Sequence, residues 1–129
     1  MTYATLVVST LEAVADRHGD PTDAIYAELF AAYPELKALF WLDRDNSVRA
    51  SMVQQGLECI LDYTGERLTA PQIIAAARQH HDGYGVPSVR FDAFFVAMRD
   101  TFRRVMDGDW TPETDAAWNQ LLAEFAAIR

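Results

Sequence analysis

The chain has 129 residues, half of them hydrophobic, a formal net charge of −8 and one cysteine, Cys59. That length suits a single domain, 1–129, with a sizeable core. The negative charge argues against nucleic-acid backbones and anionic membrane surfaces as partners, and a lone cysteine excludes an intrachain disulfide. Met1 to Ser9 carry no basic region, and Glu12 and Asp16 cut the apolar run short. No signal peptide and no bilayer span are therefore expected, and the expected location is cytoplasmic.

Val7, Val8, Leu11, Val14 and Ala15 recur at helical spacing, and His18-Gly19 ends that first pattern. Asp20 can cap the next helix, with Pro21 at its first position and Asp23 in its first turn. This second helix carries Ile25, Tyr26, Leu29, Phe30 and Tyr33 on a wide apolar face. Pro34 restarts the chain in a short turn, behind which Leu36, Leu39, Phe40, Trp41 and Leu42 crowd together. After the polar loop Asp43 to Ser47, with Ser47 as candidate cap, a third long pattern runs from Val48 through Met52, Val53, Gly56, Leu57, Ile60 and Leu61. Thr64-Gly65 stops it.

Thr69 and Gln72 have capping-box spacing, and Pro71 sits where its missing N–H costs nothing. That start opens an alanine-rich helix which runs into His80-His81 and breaks at Gly83 and Gly85. From Pro87 the pattern is Phe91, Phe94, Phe95, Met98, Phe102 and Val105, ended by Asp107-Gly108. Thr111 caps the last helix, with Pro112 at its first position and a stripe of Trp118, Leu121, Leu122, Phe125 and Ile128. Neither alternation nor a β-branched run marks a strand. The expected class is all-α, with about six main helices.

Most catalytic constellations are missing. There is no glycine-rich phosphate loop, nucleophile elbow or HExxH motif, and no catalytic residues are assigned. Glu-x-x-His pairs for a dinuclear carboxylate site and the ligands for structural zinc are lacking too. What remains is an aromatic-rich helical shell and a histidine pair at a helix end. Such a pair is either a solvated C-terminal cap or a ligand aimed into a cavity.

The ordered landmarks resemble the globin family, in particular bacterial single-domain haemoglobins and the haem domain of flavohaemoglobins. Ile25-Tyr26-Ala27-Glu28-Leu29-Phe30, then Tyr33-Pro34-Glu35 and Leu39-Phe40, resemble the second helix, the proline of the short third helix and the phenylalanine that stacks on haem. His81-x-x-Tyr84-Gly85-Val86 resembles the proximal histidine and its corner, and Trp110 to Glu113 with Ala117-Trp118 resemble the start of the last helix. The resemblance implies a globin fold around a haem b pocket, with His81 rather than His80 as iron ligand. It also implies Tyr26 as a distal tyrosine, Phe40 as the stacking ring, and Val86 and Phe91 as pocket lining.

The distal helix stays ambiguous in register: Val48 or Arg49, then Met52 or Val53, then Gln55 or Gly56. No histidine lies on it, which excludes two-histidine ligation from that helix. Flavohaemoglobins carry a tyrosine where this chain has Phe91, and they continue into a reductase. The implied function is reversible binding of O₂, NO or CO, for storage, transport or sensing, or for NO dioxygenation with a separate reductase. The rival reading is a haem-based or haem-free helical sensor or protein-interaction module. Monomer and dimer both stay open.

Overall fold

The computed structural model describes residues 2–129. Six α-helices form: α1 (Tyr3–His18), α2 (Thr22–Ala32), α3 (Ser47–Thr64), α4 (Ala70–Gly83), α5 (Ser88–Met106) and α6 (Pro112–Ala127). Two 3₁₀ segments, Pro34–Phe40 and Asp107–Asp109, complete the regular structure, and no strand forms among the described residues. This is the all-α architecture that the apolar periodicity implies.

Several boundaries follow directly from local chemistry. Gly19 ends α1 at φ +78°, where a Cβ would be strained, and its N–H donates to the Ala15 carbonyl. The Thr111 hydroxyl accepts the Thr114 N–H at 3.1 Å, with Pro112 next in line. Asp20 accepts both the N–H and the hydroxyl of Thr22 at the start of α2.

Two caps differ from the sequence expectation. Ser47 does not cap α3; Asp43 reaches forward and accepts the N–H groups of Val48 and Arg49, each at 3.0 Å. Thr69 makes no side-chain cap for α4; the Asp62 carboxylate accepts the N–H groups of Leu68, Thr69 and Ala70. In both cases a carboxylate four to eight residues upstream folds back over the helix start and satisfies donors that a nearer hydroxyl would have taken.

α1 packs most extensively on α6, and α2 on α5. Trp118, Phe102, Phe125, Ile25, Ile60 and Met98 are buried at the centre. The Trp118 indole N–H donates to the Thr10 hydroxyl at 3.2 Å, and that hydroxyl donates to the Leu6 carbonyl, so no buried polar atom of the pair goes unpaired. Thr10 thereby joins the buried face of α1, while Ala15, expected on that face, is exposed. Leu61 of α3 is likewise exposed.

Arg78 is buried in α4, where a mid-helix arginine ordinarily points to solvent. Its Nε donates to the Ile128 carbonyl and Nη2 to the Phe125 carbonyl, at 2.8 and 2.9 Å. Nη1 lies 2.8 Å from Asp92 without a well-aligned hydrogen bond. A cation at the C-terminal carbonyls of α6 suits the negative end of that helix. The same guanidinium sits 4.8 Å from the Phe91 ring, so one side chain ties α4, α5 and α6 together.

Candidate functional site

Away from the α1–α6 contact, the helices part to leave a cavity of about 570 Å³. That is within the usual range for a small-molecule or cofactor site. Its walls come from α2, the Pro34–Phe40 segment, α3, α4 and α5, and are mostly apolar.

The sequence-expected residues converge here with one exception. Tyr26, Phe40, Met52, His81, Val86 and Phe91 all line the cavity. Val53 does not; it is buried in the helical core. The register left open in the sequence resolves to Val48, Met52, Gln55 and Gly56 on the cavity side, and Arg49 is not among the lining residues. The cause is visible at Gly56. A Cβ there would fall 2.9 Å from Met98 Cε and 3.1 Å from Phe94 Cε2 of α5. Close approach at Gly56 sets the rotation of α3, and Met52, one turn earlier, then meets the cavity.

The last turn of α4 positions the histidines. His81 Nδ1 lies 2.8 Å from the Ala77 carbonyl oxygen. A carbonyl can only accept, so Nδ1 is the donor, and in the neutral ring Nε2 is the nitrogen that carries the lone pair. The ring is 5.3 Å from Phe91, which is itself held beneath Arg78. His80 is exposed and lies edge-on to Tyr84 at the cavity rim. Directly after it, the Val86 N–H donates back to the His81 carbonyl and closes the corner that Gly85 turns at φ +84°.

Tyr26 occupies the α2 wall. Its side chain is 3% exposed and packs against Phe30, Phe40 and Phe94 at ring distances of 5.3 to 6.0 Å. Its hydroxyl has one partner, the Met52 sulfur at 3.8 Å. A thioether is a weak acceptor, so a buried O–H donor is left poorly satisfied at the cavity wall. Burial pushes the phenol pKa far above its ordinary value, outweighing the opposing pull of Arg49. The hydroxyl is therefore a neutral donor across the physiological range.

Behind Phe40 stands an ion pair that sequence reading overlooked. Arg49 Nε binds Asp43 at 3.0 Å, Nη2 donates to the Asp43 carbonyl and to Asn46, and the guanidinium lies 5.8 Å from the Phe40 ring. Burial works to raise the Asp43 pKa, but the two helix N–H donors and Arg49 together hold it below the ordinary carboxylate range. Cys59 also lines the cavity, and burial raises its thiol pKa, so it is a neutral wall residue.

Among the described residues no group of three or more histidine, cysteine, aspartate and glutamate side chains gathers for a metal ion. No helix there is long and apolar enough to cross a membrane. The family model described as Globin matches residues 23–128. No curated protein and no solved structure matches the chain.

Proposed function

The chain belongs to the globin family, and from that premise we propose that it is a haem globin that binds a diatomic gas in the cavity between Tyr26 and His81. One observation carries this reading: a buried phenol without a strong acceptor and an oriented imidazole line the same apolar cavity. A bare metal ion would lack a protein ligand set here. A flat apolar cofactor that brings its own four nitrogens needs only one imidazole from the chain, and the cavity lining suits its faces.

In this assignment His81 Nε2 would hold the iron, and Phe40, Val86 and Phe91 would pack against the cofactor. Once bound, the iron would supply a coordination position for O₂, NO or CO. The residues do the rest. The Ala77 carbonyl fixes the His81 tautomer and ring direction. That acceptor is a neutral carbonyl rather than a carboxylate, so it orients the ring without a charged partner. The Tyr26 hydroxyl would be the donor offered to a gas that gains negative charge on binding. Such a charge-assisted bond contributes roughly 1.5–3 kcal/mol and slows release by about one to two decades. Slow release suits sensing, or NO dioxygenation with a separate reductase, better than oxygen delivery. The likeness to bacterial single-domain haemoglobins rests on Tyr26, Phe40 and the His81 corner.

The test is haem content. His81→Ala is expected to lose nearly all bound haem, measured by pyridine haemochrome, while His80→Ala keeps it with unchanged ferrous and CO spectra. The reverse pattern would make His80 the ligand. Wild-type protein that shows no Soret band even after added haem would return the chain to the haem-free module reading.

A further inference from the structure

The weak partner of Tyr26 is itself chemically reactive. Met52 is half-buried and lines the cavity. Of the other methionines described, Met98 is fully buried and Met106 is outside the cavity lining. A small oxidant that enters the cavity therefore meets two sulfurs, the buried Cys59 thiol, kept neutral and so weakly nucleophilic, and the more open Met52 thioether, 3.8 Å from the Tyr26 hydroxyl.

We propose that Met52 is a peroxide-oxidisable site whose sulfoxide captures the Tyr26 hydroxyl and so weakens the hold on bound O₂. The proposal rests on Tyr26 being the donor to the gas. The oxidant is hydrogen peroxide or an alkyl hydroperoxide. The sulfur lone pair attacks one peroxide oxygen, the O–O bond breaks, and the proton carried by that oxygen passes to the leaving oxygen. Thioether and peroxide become sulfoxide and water, or an alcohol from a hydroperoxide: sulfur loses two electrons and the peroxide gains them.

The product changes the local hydrogen bonding in a defined way. A thioether scarcely competes for a phenol, whereas a sulfoxide oxygen is a strong acceptor. Carried on a sulfur already 3.8 Å from the phenol oxygen, it comes within hydrogen-bonding reach. Tyr26 has one proton to donate, so a bond to the sulfoxide is taken from the gas. Oxidised protein should then resemble Tyr26→Phe. Because methionine sulfoxide is reducible by dedicated thiol-dependent reductases, the change is reversible.

The experiment uses the ferrous CO form of the haem-loaded protein, in which CO shields the iron, treated with tert-butyl hydroperoxide. Peptide mass is expected to show one oxygen added at Met52 before Met98 or Met106. After exchange to O₂, stopped-flow release should be faster by about ten-fold, and a methionine sulfoxide reductase should restore the original rate. Release from Met52→Leu should not respond to the treatment. Tyr26→Phe should still be oxidised at Met52, with no further acceleration. Oxidation of Met98 or Met106 first, or an oxidised Met52 with unchanged O₂ release while Tyr26→Phe is fast, overturns this proposal alone. Unchanged release in Tyr26→Phe overturns it together with the role given to Tyr26 above.

Discussion

The α1–α6 side of the molecule and the cavity side treat the same kinds of residue in opposite ways. Where α1, α5 and α6 meet, Trp118 is fully buried, its ring lies edge-on to Phe102, and its N–H has the Thr10 hydroxyl. Around the cavity, Leu39, Leu42 and Tyr84 are 53%, 69% and 71% exposed, and the buried Tyr26 hydroxyl has only a sulfur. The first side holds a finished core. The second leaves apolar surface exposed and a donor poorly satisfied, at a cost in stability that the proposed cofactor would offset by mass action.

The sharpest way to break this contrast is to truncate one residue on each side in the haem-free protein. Trp118→Ala should lower unfolding free energy by about 3–5 kcal/mol, through lost packing and a void. Leu42→Ala should change it by no more than about 0.5 kcal/mol. Urea unfolding followed by circular dichroism reads both, and comparable losses would mean that the cavity side is as well packed as the core. Next in size is Tyr26→Phe in the haem-loaded protein, which removes the donor and keeps the ring. O₂ dissociation should accelerate ten-fold or more, equivalent to at least about 1.4 kcal/mol, with CO dissociation changed far less. Equal effects on both gases would point to a steric role.

The smallest effect expected is at a helix start. Backbone N–H groups of Thr69, Ala70 and Leu68 hold the Asp62 carboxyl below its ordinary pKa, so the carboxylate form is favoured in the folded state. Its contribution is present above the unfolded-state value and is lost as pH falls through the folded one. Asp62→Asn should therefore be less stable than wild type at neutral pH, and the gap should close on acidification below the ordinary carboxylate range. A gap that persists at low pH would assign the loss to changed packing.

The helix ends punctuated by glycine and proline were legible in the sequence, because Gly19, Pro112 and Asp107-Gly108 act within one turn. The caps from Asp43 and Asp62 were not, since each carboxylate crosses a loop before it meets its donors. Tyr26, Phe40, His81, Val86 and Phe91 could be placed through the family landmarks. Met52 and Val53 could not be told apart, because rotation of α3 is set by contact of Gly56 with α5 and not by the period of α3 itself. Arg78 was missed because a charged residue within a helix reads as solvent-facing. A signal did exist: Ile74, Arg78 and His81 follow one another at i, i+4 and i+7 on one face of α4.

The most direct test of the central claim, one imidazole from the chain and an open coordination position, is the absorption spectrum of the reduced, haem-loaded protein at neutral pH without added gas. The expected spectrum is five-coordinate and high-spin, since α3 carries no histidine, His18 lies in α1, and His80 shares the last turn of α4 with His81. A low-spin spectrum would contradict the claim and point to Met52 or another cavity residue as a sixth ligand.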